Sequence, residues 1–285
     1  MNYPDGFDEL VRLVHKSPLP FVMGNELWNK FCRVVFIGKD RSDAEISFLL
    51  VMLKPYLDYD KLLKTDGEEW QEHVKTFIRD RMLRIQDVEI RQLLADLLKD
   101  LFSITASLKG GARFFEKNKI AATIDERTST KEKTFVFVES LVNDADVSGI
   151  RYAKAILWLQ STGRAKDLAP PTWQLKSFLN SDIGPYYQFY EDDQYFMKRA
   201  EEMTADFKHI PLVDIYRSIF FYRMLKAPLP RGSKFTPKKL IMFLKKQKLT
   251  IAKLASTLAD LEEKELLFEK LLTFLGYSAG RTDHS

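Results

Sequence analysis

Apolar residues recur along this chain mostly at three- and four-residue spacing, and that rhythm predicts helices almost throughout. Asp8 opens a helix over 9–15 that Pro18 and Pro20 end, and Asn25 caps a second over 26–37 with Trp28, Phe31, Cys32 and Val35 on one face. Ser42 begins a third, reaching about Leu57, so dense in Phe, Leu, Val and Met that a central place in the core is expected. A loop at 64–67 leads into a helix over 68–77, and another runs from about Val88 to Phe102. The pair Gly110-Gly111 is expected to interrupt before a segment over 112–119, and 123–130 reads as a polar connection.

Ser129 or Thr130 then caps a helix over 131–142, with Glu132 and Lys133 in its first turn. Further helices follow over 150–159 and, after Pro170-Pro171, over 172–179. An aromatic-rich stretch at 185–190 precedes helices over 194–207 and 212–225. Two amphipathic segments, 237–246 and 251–275, finish the chain. Period-two alternation is scarce, so the fold class expected is all-α.

Composition agrees with a folded domain. Of 285 residues, 45% are hydrophobic and 13% aromatic, enough apolar surface to offset the ordering entropy of one large domain or two small ones. The apolar runs are short and broken by charges, which predicts no membrane span, and the N-terminus lacks the pattern of a signal peptide. A single cysteine, Cys32, excludes an internal disulfide and suits a reducing cytoplasm.

Charge changes the picture more. From Arg223 to Lys253 the chain carries ten Lys or Arg and no Asp or Glu, leaving 34 basic against 40 acidic residues elsewhere. Clustered cations of this kind suit a polyanion such as a nucleic acid, although a solvated helix face is the plainer reading. Metal and nucleotide chemistry find no local support. The four histidines are isolated, and neither a phosphate-binding loop nor a dinucleotide fingerprint occurs. Cys32 reads as a small buried hydrophobe. Lys133 stands out because its helix continues Phe135-Val-Phe-Val138, so its amine is expected to be partly desolvated, the condition under which a lysine becomes a Schiff-base nucleophile.

Several blocks, in order, resemble one family. Asn25-Glu-Leu-Trp-Asn-Lys-Phe-Cys-Arg-Val-Val35 resembles an early helix with a cysteine and paired valines. Thr65-Asp-Gly-Glu-Glu-Trp70 resembles a Gly-Glu-Glu-(His)-Trp segment, one residue shorter here, and Ser107-Leu-Lys-Gly-Gly-Ala-Arg113 a Lys-Ile-Gly stretch. Lys133-Thr-Phe-Val-Phe137 resembles the second helix of a helix-hairpin-helix, and Pro170-Pro-Thr-Trp-Gln-Leu175 sits where the family has Pro-Val-Asp-Tyr-Arg-Val. Together these cover about residues 25 to 225 and are similar to the archaeal 8-oxoguanine DNA glycosylases of the helix-hairpin-helix superfamily.

The resemblance implies base excision repair by a bifunctional glycosylase and AP lyase without a cofactor or metal, with Lys133 as the nucleophile. It implies a base pocket drawing on Trp28, Trp70, Phe137 and, in a loosely echoed late segment, Asp214. The sequence departs from the family at Thr172, where the family has its catalytic aspartate, and at Leu27, where it has a base-reading glutamine. Asp167 is the nearest substitute carboxylate. The implied partner is double-stranded DNA with a damaged base or abasic site, bound by a cytoplasmic, nucleoid-associated monomer. Beyond the resemblance, residues 226–285 read as an appended basic extension to a body over 1–225, with Arg231, Lys234, Lys238, Lys239, Lys245, Lys246 and Lys248 suited to the DNA backbone. Two other readings remain open, a non-catalytic DNA binder on the same fold and an interaction scaffold using the C-terminal amphipathic helix.

Overall fold

The computed structural model describes residues 3–17, 26–37, 41–179, 193–230 and 232–277. Fifteen α-helices and no strand occur among these residues, as an all-α chain requires. They are α1 (Phe7–His15), α2 (Leu27–Phe36), α3 (Asp43–Met52), α4 (Tyr59–Lys64), α5 (Gly67–Arg84), α6 (Val88–Lys117), α7 (Ile120–Arg127), α8 (Lys131–Val142) and α9 (Tyr152–Ser161). The remainder are α10 (Trp173–Leu179), α11 (Asp193–Asp206), α12 (Leu212–Lys226), α13 (Pro237–Gln247), α14 (Ile251–Ala259) and α15 (Leu261–Phe274). None of the described helices is long and apolar enough to cross a membrane.

Contacts divide the chain into two compact units, one central in the sequence, Phe21–Ala165 (the central unit), and a second made of Met1–Pro20 with Lys166–Ser285. The expected division at residue 225 is therefore corrected, because residues on both sides of it share one unit. The cause is long-range packing: α1 lies against both α12 and α13. The Lys238 N–H donates to the Asp5 carbonyl at 3.0 Å, and the Tyr222 hydroxyl donates to the Phe235 carbonyl at 3.3 Å. Gly6, at φ 81°, ends the turn before α1 where the Lys238 backbone approaches so closely that an added Cβ would lie 2.7 Å from it.

In the central unit, Trp158 is fully buried beside Phe31, Phe115 and Phe137 at ring-centroid separations of 5.5, 5.2 and 6.1 Å. Its indole N–H donates to the Leu27 carbonyl at 3.0 Å, so the ring's polar edge is satisfied where its body packs. Cys32 is buried in the same unit, and burial pushes its thiol up, away from the thiolate, which fits a packing role.

Several expected boundaries move, each for a local reason. α6 runs unbroken through Gly110-Gly111 for 30 residues, because those glycines admit close neighbours: a Cβ at 110 would strike Asp146 backbone and one at 111 the Phe31 ring. The expected polar connection at 123–130 is mostly α7, since Ile120 and Ile124 one turn apart both bury. α3 stops at Met52 and a 3-10 turn takes over at Lys54–Tyr56, where Pro55 disfavours continued helix. The expected single helix over 251–275 splits at Asp260, which is extended and whose carboxylate accepts the Glu263 N–H as the cap of α15. α4 was not expected; Asp58 caps it through the Lys61 N–H at 2.9 Å.

Two lysines, one buried and one half-buried, satisfy carbonyls in the central unit. Lys109 reaches the Leu62 and Thr65 carbonyls at the end of α4, and Lys154 donates to the Val35 carbonyl of α2 at 3.1 Å. Burial, with the Arg41 charge adding to it, lowers Lys154 to about 8. Below that pH both folded and unfolded chains hold the proton and the buried charge opposes folding. Between about 8 and the ordinary lysine value near 10.5 the folded chain releases its proton first, so stability rises with pH. Lys154→Met is expected to stabilise the protein by about 2 kcal/mol at pH 7, relief of the buried charge outweighing the lost hydrogen bond. Thermal melts across pH should show that gain shrinking between 8 and 10.5; an unchanged gain would contradict burial as its source.

Candidate active site

α7, the turn over 128–130 and α8 form a continuous helix–turn–helix in the central unit. Thr130 caps α8, its Oγ1 accepting the Lys133 N–H at 3.2 Å, so the cap named from sequence is Thr130 rather than Ser129. The Glu132 carboxyl in the same first turn is held below the usual carboxylate range by backbone and Thr130 hydrogen bonds. Thr134, Phe137, Val138 and Leu141 form the buried face of α8. Lys133 falls on the opposite side with Val136 and is exposed, which corrects the expectation of a partly desolvated amine: helical spacing turns it away from its apolar neighbours. Among the described residues Lys133 makes no ion pair.

The aromatic positions separate. Trp70 is buried and donates from its indole N–H to the Tyr56 carbonyl at 2.8 Å; Phe137 is buried against Phe114 and Trp158. Both are core side chains, so their expected place in a base pocket is corrected: the faces that would meet a ligand are covered by protein. Trp28 is half-buried, donates to the Leu57 carbonyl at 2.7 Å, and lines a pocket of about 610 Å³ with Tyr59, Phe115, Glu116, Lys119 and Ile120. That pocket meets the first turn of α7, whereas Lys133 follows the far end of the same helix, whose eight residues span about 12 Å. It is therefore not built around the amine. Its other aromatic members, Tyr59 and Phe115, were not singled out from sequence; their only signal was membership of apolar helix faces.

The acidic candidates belong to the other unit. Asp167 is exposed ahead of α10. Thr172 Oγ1 lies 3.3 Å from the hydroxyl of buried Tyr216, and burial pushes that phenol up to about 12 although its bond with Thr172 opposes the shift. Asp214 is a structural ion-pair residue, its carboxylate bridging His15 Nδ1 at 2.9 Å and Arg217 at 3.1 Å.

The basic segment lies on and beside α13. Lys234, Lys238, Lys245, Lys246 and Lys248 are exposed, Lys239 is half-buried, and Arg231 lies outside the described residues. Lys238 faces Asp5 at 3.9 Å and Lys245 faces Glu9 at 3.4 Å, while the Lys246 ammonium sits 5.5 Å from the Phe274 ring centre. Exposed pairs of this kind hold about 0–1 kcal/mol each and exchange readily for phosphate oxygens.

None of the protein-family models, curated proteins or solved structures compared with the chain matches it.

Proposed function

We propose that the chain is a DNA glycosylase with associated AP-lyase activity that acts on a damaged base through a Schiff base on Lys133. The observation that carries the reading is the exposed amine in the first turn of the second helix of a capped helix–turn–helix, in the sequence block that resembles the family's nucleophile. The neutral amine attacks the sugar C1′; the glycosidic bond breaks, its electron pair and a proton leaving with the base. The nitrogen lone pair then expels O4′, which takes up a proton as the sugar ring opens, and the resulting iminium permits loss of a C2′ proton to water and departure of the 3′ phosphate with the electron pair of the C3′–O bond. Flipping the base costs a few kcal/mol, and exposed cations along α13 suit the phosphates that position the duplex. Asp167 is the carboxylate nearest in sequence to Thr172, the position of the family aspartate.

A second reading, a non-catalytic DNA binder, is favoured by Thr172: the family's aspartate position holds a hydroxyl that bonds Tyr216. Duplexes bearing an abasic site or an oxidised base, incubated with the full chain and borohydride, separate the two. Strand nicking with a covalent adduct is the expected outcome. Salt-sensitive binding with neither nicking nor adduct on any duplex would reject the enzyme and favour the binder.

A further inference from the structure

α3 is apolar on nearly every side, reading Ala44-Glu-Ile-Ser-Phe-Leu-Leu-Val-Met52, and a helix of that kind is ordinarily enclosed. Here only Ile46 and Leu49 are buried within it, α2 being its principal partner, while Phe48 is 37% and Val51 76% exposed. Phe48 and Val51 stand one turn apart, and Pro55 continues the row. Beside them is a groove of about 720 Å³ floored by Val51, Met52, Pro55 and Phe77. Its rim carries Lys54, Lys61 and Arg81, all exposed and none in an ion pair among the described residues. The Arg81 guanidinium lies over Phe77, 5.2 Å from the ring centre. The one carboxylate of the groove, Asp58, is occupied in capping α4.

We propose that this groove docks an acidic amphipathic helix of a partner protein. Apolar side chains at i, i+3 and i+7 of that helix meet Phe48, Val51 and Phe77, and carboxylates on its flanks meet Lys54, Lys61 and Arg81. Charge complementarity selects the acidic partner, and the row of exposed apolar side chains beside the cations selects a peptide. A phosphate backbone would use the cations but leave Val51 uncovered, and a membrane surface would not fill a concave floor. The inference stands apart from the chemistry at Lys133 and survives or fails without it.

The test uses the full chain and a fluorescent peptide of about five helical turns, built from Leu, Ala and Glu with Leu at i, i+3, i+4 and i+7. A scrambled peptide of the same composition, phosphatidylserine vesicles and a plain DNA duplex serve as competing probes. Fluorescence anisotropy should show saturable, salt-sensitive binding of the amphipathic peptide, about tenfold tighter than the scrambled one. Val51→Asp and the double variant Lys54→Glu/Arg81→Glu should each weaken it about tenfold, with unchanged melting temperatures because all three side chains are exposed. The proposal is overturned by equal binding of the scrambled peptide or by indifference to both variants. Binding only of duplex or vesicles, or self-association abolished by Val51→Asp without peptide binding, overturns it as well.

Discussion

Gly110→Ala is expected to destabilise the central unit by about 3 kcal/mol, the upper end for overpacking. In the interior of a solvated helix the same change would gain about 1 kcal/mol, because alanine loses less backbone entropy than glycine. α6 reverses that sign at position 110: the new Cβ would overlap the Asp146 carbonyl oxygen and lie 2.7 Å from the carbonyl carbon and 2.9 Å from the Val147 Cα. These are backbone atoms, which cannot swing aside as a side chain does. Chemical denaturation of both proteins measures the difference; a neutral or stabilising alanine would contradict the close approach of the 146–147 segment to α6.

Lys133→Gln carries the largest expected effect on activity: complete loss of the borohydride-trapped adduct and of strand nicking, with melting temperature unchanged. Glutamine keeps the length of the side chain but has no amine to form an iminium. The stability half follows from exposure, since Lys133 lies on the outer side of α8 and makes no ion pair among the described residues. Lys154→Gln serves as the control, because that amine is committed to the Val35 carbonyl and is expected to leave trapping intact. An adduct undiminished in Lys133→Gln would remove the nucleophile assignment whatever happens at Lys154.

The helices were largely legible in the sequence because amphipathic spacing and capping residues are local signals. Thr130 and Ser42 cap the helices they were expected to start, and α8 occupies 131–142 as read. What the local pattern cannot carry is which neighbour arrives. Gly110-Gly111 has the composition of a break, and only the approach of Phe31 and Asp146 makes it a contact surface. Asp260 looks like one polar residue within an apolar periodicity until its carboxylate is seen capping α15. The division into units was hidden for the same reason: the docking of α1 on α12 and α13 joins segments more than 190 residues apart, as in the His15–Asp214 pair.

The candidate site was legible in part. The block around Lys133 is a sequence signal, but the surroundings of its amine are not, because apolar neighbours in sequence lie around the helix rather than beside the amine. Trp70 and Phe137 illustrate the converse: an aromatic at the right spacing says nothing about whether its face is open, and both are closed by the core. α3 was expected at the centre on hydrophobicity alone. Its exposed Val51 and Phe48 depart from the local rule, and such departures are where function is most usefully sought.

Schiff-base chemistry in this chain rests on one atom, the Nζ of Lys133, and proteolytic mapping of the borohydride-trapped protein tests it directly. After incubation of the full chain with a duplex containing an abasic site, reduction and digestion, mass spectrometry should place the sugar remnant on Lys133. A remnant on any other lysine, or a chain that yields no adduct, would contradict it.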